Sequence, residues 1–203
     1  MITTKTELEQ KIEPALPLLK QYWDLLLKWQ KTVNLISSKT IEDGWNRHIL
    51  DSAQLYFLLE NQEHSLMDVG SGGGLPAVVI AILNQTLQGP LTSIILVESD
   101  LKKSLFLQEC ARTLHINFNV LRERVENVKQ PPDVITARAF APLNELLTLV
   151  QNNVSRETIL LLPKGKSVDE ELNQTQWKYK VEKIKNIVNS EGCILKIKGV
   201  EHV

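Results

Sequence analysis

The chain has 203 residues, 43% of them hydrophobic and 23% charged, with a formal net charge of −1. This composition excludes disordered, collagenous and membrane-spanning classes, and the length suits one domain of roughly 100 to 150 residues with an appendage. A near-zero balance also excludes nucleic-acid binding by overall positive charge, so that role would fall to local patches. No apolar run approaches the ~20 residues that cross a bilayer, and Met1-Ile2-Thr3-Thr4-Lys5 lacks the apolar centre of a secretion signal, so a cytoplasmic location is expected. Cys110 and Cys193 form no Cys-x-x-Cys pair, and His48, His64, His115 and His202 are dispersed, so neither a disulfide nor a metal site is expected.

In chain order, Leu8, Ile12, Leu16, Leu19, Trp23, Leu26 and Leu27 recur at helical spacing from Thr6 to Trp29, with Pro14 and Pro17 dividing the stretch in two. A second helix is predicted from about Ile41 to Glu60, with Trp45, Ile49, Ala53 and Leu55 on one face. Trp23, Trp29 and Trp45 fall on these apolar stripes and read as core. Residues 1–62 are thus expected to form a helical cap, and residues 63–203 a second region packed with it into one compact unit.

From there the pattern alternates. Strands are predicted at Leu66–Val69, Ser93–Glu98, Asn117–Leu121, Asp133–Thr136 and Thr158–Leu162. Helices are predicted at Leu75–Leu83, with Pro76 in its first turn, and at Lys102–His115 and Leu143–Val154. Alternation of this kind implies a mostly parallel, Rossmann-like α/β sheet. Val181–Val188 and Cys193–Ile197, around the polar turn Ser190-Glu191-Gly192, add an antiparallel C-terminal hairpin and bring the sheet to seven strands. From Gln176 to Lys198 six lysines face two glutamates, a stretch that reads first as a solvated face and second as an RNA contact.

Gly70-Ser71-Gly72-Gly73-Gly74-Leu75-Pro76 follows the first strand, where bare backbone lets a nucleotide ligand lie against the chain. A dinucleotide fingerprint starting at Gly70 requires glycine at position 75, which is Leu75, and this favours a methyltransferase pattern over a pyrophosphate cradle. Glu98, closing the second strand, is placed to accept hydrogen bonds from ribose hydroxyls, although a helix-capping role is the alternative. Arg124-Val125-Glu126, after the third strand, is where an adenine would be gripped.

Three blocks carry a resemblance: Asp68-Val69-Gly70-Ser71-Gly72-Gly73-Gly74-Leu75-Pro76, Arg47-His48-Ile49-Leu50-Asp51-Ser52 and Thr136-Ala137-Arg138-Ala139-Phe140-Ala141. Together with Asn34-Leu35-Ile36-Ser37, Glu123-Arg124-Val125-Glu126 and Pro163-Lys164-Gly165, they resemble the bacterial small-subunit ribosomal RNA guanine-N7 methyltransferase family, glucose-inhibited division protein B. The resemblance covers roughly residues 20 to 175. It implies a class I S-adenosylmethionine-dependent methyltransferase fold, S-adenosylmethionine as cofactor, and methylation of a guanine in the decoding-region loop of 16S ribosomal RNA. Carried over by residue, Gly70, Leu75, Val125, Glu126 and Arg138 would contact the cofactor or its surroundings, with Gly72, Gly74 and Glu98 beside them.

Guanine N7 has an in-plane lone pair and no hydrogen, so the reaction needs no general base, and Arg138 is expected to act by positioning. Arg47, His48, Arg124 and Lys164 are the expected RNA contacts, although Arg47 and His48 could merely pair with Asp51. Gln130-Pro131-Pro132-Asp133 lacks the ends of an amine-methylating Asp/Asn-Pro-Pro-aromatic motif, and neither cysteine follows proline as a cytosine-C5 nucleophile does. The expected partner is 16S ribosomal RNA, free or in a partly assembled small subunit, acted on by a monomer without metal. The residues alone leave open a methyltransferase of another RNA, a protein or a small molecule, and a catalytically silent RNA-binding protein.

Overall fold

The computed structural model describes residues 2–202, the last by its backbone alone. Seven strands form one sheet in the order β3-β2-β1-β4-β5-β7-β6. They are β1 (Ser65–Val69), β2 (Ser93–Val97), β3 (Asn119–Leu121), β4 (Val134–Thr136), β5 (Ile159–Lys164), β6 (Trp177–Lys185) and β7 (Cys193–His202). Strands β1 to β5 run parallel, and the hairpin β6–β7 joins β5 antiparallel.

The central strands are apolar on both faces because both faces are covered. Along β1, Leu66 enters one hydrophobic cluster and Met67 and Val69 the other, the two-residue alternation of a pleated strand. The first cluster joins Leu66, Leu96 and Leu161 to helices α4 (Ala77–Thr86) and α5 (Leu101–Leu114) and to the cap residues Leu8, Tyr22 and Leu26. The second packs Val69, Ile135 and Leu160 against α6 (Leu143–Val150). Residues 77–83 of α4 are all buried, since the helix lies between the sheet and the cap.

The cap opens on α1 (Lys5–Ile12), whose N-terminus is closed by a reciprocal Thr4–Glu7 capping box. Pro14 and Pro17 do divide this region, with a 3₁₀ turn over Glu13–Ala15 before α2 (Leu16–Gln30). The expected helix from Ile41 to Glu60 is shorter and less regular. A π-helical turn over Trp45–Leu50 leads into α3 (Asp51–Tyr56). Such widened turns redirect side chains, and here the widened turn carries the Arg47-His48 pair immediately before Asp51.

Other boundaries moved for local reasons. Helix α4 starts at Ala77 because Leu75 and Pro76 complete the glycine turn, and α6 stops at Val150, where Gln151–Asn153 tightens into a 3₁₀ turn. Asn153, fully buried, there donates to the Val125 carbonyl at 3.1 Å. The short helix α7 (Val168–Asn173) is additional to the predicted elements; β6 starts earlier, at Trp177, and stops at Lys185, short of the expected Val188, while β7 runs on to His202. Much of the lysine charge in this region is neutralised locally: Lys196 and Lys198 pair with Glu60, and Lys183 with Asp169.

Candidate active site

The chain leaves β1 for β2 on one side and returns to place β4 on the other, so the strand order reverses at β1, and ligands of open α/β sheets bind at such a point. Two segments meet there, the glycine turn after β1 and residues 137–142 after β4. The Gly70 and Ser71 amides donate to the Val97 carbonyl at 2.9 and 3.1 Å, which locks the turn to β2. Gly70 has φ +65°, and a Cβ there would overlap the Phe140 ring. Gly74 has φ +80° and no room beside Val78, so its missing side chain serves packing of the turn on α4.

Glu98 is buried, 7% exposed, and both of its oxygens are anchored. The Gly72 amide donates to Oε2 and the Asp100 amide to Oε1, each at 2.8 Å. A carboxylate accepts about four hydrogen bonds, so each oxygen retains a lone pair for a ligand. The helix-capping alternative falls instead to Asp100, whose side chain accepts from the Lys103 amide.

A cavity of about 430 Å³ opens at this point, lined by Gly70, Glu98, Arg124, Val125, Glu126 and Phe140 among others. Val125 offers a buried apolar surface, while Arg124 and Glu126 are exposed at the rim. Gly70, Glu98, Arg124, Val125 and Glu126 are thus brought together, whereas Gly72, Gly74 and Leu75, further along the turn, do not line the cavity. A second cavity, of about 500 Å³, lies beyond the segment Ala139-Phe140-Ala141, which lines both. Arg138, Lys164 and Asp51 line this second space.

Arg138 faces the cap. Its guanidinium lies 3.4 Å from Asp51 Oδ2 and 3.4 Å from Ser52 Oγ, and it donates to the Arg47 carbonyl. Asp51 Oδ1 also accepts from Asn186 at 2.6 Å and from Gln54 at 3.0 Å. One buried network therefore ties the cap to the β4 end and to the β6–β7 connection, and it satisfies a charge that would otherwise be costly.

The four expected RNA contacts are not equivalent. Arg47 is exposed and pairs with Asp43 at 3.8 Å, not with Asp51. His48 is buried within the cap, stacked on Trp23, with Nε2 2.8 Å from Thr40 Oγ1. Burial, aided by the Arg138 and Arg47 charges, lowers its pKa to about 4, so the ring is neutral at pH 7 and has no surface for a phosphate. Lys164 pairs with Glu171 at 2.7 Å and is largely buried. Trp23, Trp29 and Trp45 pack against the core.

Three contributors escaped the sequence reading. Tyr22, fully buried on α2, donates to the Gly73 carbonyl at 2.5 Å. Asp68, at the end of β1, accepts from Thr136 Oγ1 at 2.6 Å, and burial raises its pKa to about 7. Asn186 holds Asp51 from the hairpin connection. The acidic residue opening the glycine block was a visible signal for Asp68, whereas a tyrosine on an apolar stripe and an asparagine in a turn carry none. Among the described residues no helix is long and apolar enough to cross a membrane, and no cluster of His, Cys, Asp or Glu forms a metal site.

The crystal structure of ribosomal protein L11 methylase from Lactobacillus delbrueckii subsp. bulgaricus superposes with a TM-score of 0.59 at 14% identity, covering 75% of this chain and 78% of that one. A SAM dependent methyltransferase from Aquifex aeolicus gives 0.55 at 14% identity, covering 76% and 90%. These likenesses establish the class I methyltransferase fold. Ribosomal RNA small subunit methyltransferase G of Jannaschia sp. (strain CCS1) is 40% identical over 184 residues, 89% of this chain and 87% of the relative. The family model described as rRNA small subunit methyltransferase G matches residues 15–199, and the chain therefore belongs to that family, GidB.

Proposed function

We propose that this chain transfers a methyl group from S-adenosylmethionine to N7 of a guanine in the decoding-region loop of 16S ribosomal RNA, working as a cytoplasmic monomer without metal. One observation carries the reading: in a chain of this family, a buried carboxylate with free lone pairs, Glu98, stands beside a side-chain-free turn at the strand-order reversal.

The residues fit an adenosine with a charged sulfur. Glu98 would accept from both ribose hydroxyls, Val125 would cover the adenine face, and the bare Gly70 backbone lets the Phe140 ring pack against it where a side chain would collide. The rim carboxylate of Glu126 favours a cationic ligand over a pyrophosphate. When bound, S-adenosylmethionine supplies an electrophilic methyl carbon. The protein's part is to hold donor and base in line, an effect worth up to roughly 7 to 11 kcal/mol. No side chain has to remove a proton, and the buried His48 is held by Thr40 within the cap. Arg138 positions the cap and the segment after β4, and the exposed Arg47 and Arg124 meet phosphates.

The test is transfer of labelled methyl to small subunits, and separately to free 16S RNA, isolated from cells lacking the modification. Recovery of the label as 7-methylguanosine is expected. Donor binding without transfer would point to a silent RNA-binding protein, and label on another nucleoside would end the N7 assignment.

A further inference from the structure

The 500 Å³ cavity contains none of Gly70, Glu98 and Val125, yet it shares one wall, Ala139-Phe140-Ala141, with the cavity that does. We propose that it is the pocket for the acceptor base, with the Phe140 ring as the face on which the base stacks; this rests on the methyl-transfer reading above. Reacting atoms must approach to about 3–3.5 Å, so the acceptor has to enter at the edge of the segment that the two cavities share, where no side chain separates it from the donor.

Phe140 is a large apolar side chain left 39% exposed on that wall, and its ring also lies against Gly70, at the donor end. The preceding residue, Ala139, has φ +49°, a left-handed conformation rare for alanine that persists only where the surroundings impose it. The second cavity has both apolar and polar walls. Pro142 and Pro163 are apolar, while Lys164 and Glu171, paired at 2.7 Å and 11% and 18% exposed, present a donor and an acceptor side by side. Guanine has the matching polarity, with O6 as acceptor and its amino group as donor. The volume lies within the roughly 300–1,000 Å³ of small-ligand sites, and bases to be modified are extruded and stacked on aromatic side chains in this way.

The test compares Phe140→Ala, Phe140→Leu, Phe140→Tyr and Phe140→Trp, measuring S-adenosylmethionine affinity by calorimetry and methyl transfer to unmodified 16S RNA. Loss of stacking is expected to lower kcat/KM for RNA about 5- to 150-fold in the Ala and Leu variants, with the Tyr and Trp variants less affected and donor affinity falling far less than transfer in each. Full activity in Phe140→Leu would show that the ring only fills space. A loss of donor affinity as large as the loss of transfer would assign the ring to the donor cavity alone. Either result overturns the pocket while leaving the methyltransferase intact, whereas a wild-type protein that modifies no guanine N7 removes the underlying reading and this inference with it.

Discussion

The Tyr22 hydroxyl, on a cap helix, donates a 2.5 Å hydrogen bond to the carbonyl of Gly73 in the ligand-binding turn. Burial pushes the phenol well above its usual range, so it remains a donor at any working pH. The cap is therefore a structural clamp on the glycine turn as well as an appendage. Tyr22→Phe preserves shape and leaves the Gly73 carbonyl buried without a partner, at a cost of about 1–3 kcal/mol. Lower stability in urea and weaker S-adenosylmethionine binding are expected together. Unchanged values of both would reduce the clamp to simple packing.

Gly72 has φ +53°, and its amide donates to Glu98. Gly72→Asp forces a side chain into a left-handed conformation and adds a second carboxylate near Glu98, the one proposed to orient the donor. Donor affinity is expected to fall at least roughly tenfold, equivalent to ~1.4 kcal/mol. Calorimetry giving the wild-type affinity would count against the assigned cavity.

The Arg138–Asp51 pair makes an asymmetric prediction. Asp51→Ala strands a mostly buried guanidinium and also frees Asn186 and Gln54, and breaking a buried pair costs on the order of 3–5 kcal/mol. Arg138→Ala leaves Asp51 with its two amide donors, so the fold should survive while transfer slows. Denaturant melts and turnover of the two variants check the order. Equal destabilisation, or wild-type turnover in Arg138→Ala, would contradict it.

Asp68 offers a test by pH. Burial, opposed by the Thr136 hydrogen bond, lifts its pKa from 3.8 to about 7, so the folded state holds a proton that the unfolded chain has released. Its stabilising contribution is therefore complete below about pH 4 and is lost as pH rises to about 7. Asp68→Asn keeps an acceptor for Thr136 and removes the titration. Relative to wild type, the variant should gain stability across that window, by up to about 4 kcal/mol. His48 slopes the other way, its contribution present above pH 6.5 and lost as pH falls towards 4. A stability difference between the two proteins that does not vary with pH would show that Asp68 is ionised in the fold.

The sheet is readable because its strands are apolar runs between turn residues, and the cavity beside the glycine turn because glycines and Glu98 sit at fixed places relative to β1 and β2. The Arg-His-x-x-Asp-Ser and Ala-Arg-Ala-Phe blocks were conspicuous separately. Their meeting through Asp51 and Arg138 was not legible, since it depends on how the cap docks across the end of β4. His48 looked like a surface contact because a neutral, buried histidine and an exposed one have the same sequence signature. The short α7 lacks a periodic apolar stripe, and the stripe through Trp45 and Ile49 does not tell a π-helical turn from an α-helical one; tertiary packing decides both.

The central claim is that the cavity beside the glycine turn holds the adenosine of the methyl donor. A crystal structure with S-adenosylmethionine bound addresses it most directly. The ribose hydroxyls are expected within hydrogen-bonding distance of Glu98, with the adenine against Val125 and the sulfur directed towards Phe140. A ligand seated elsewhere, with Glu98 still held only by the Gly72 and Asp100 amides, would contradict the account.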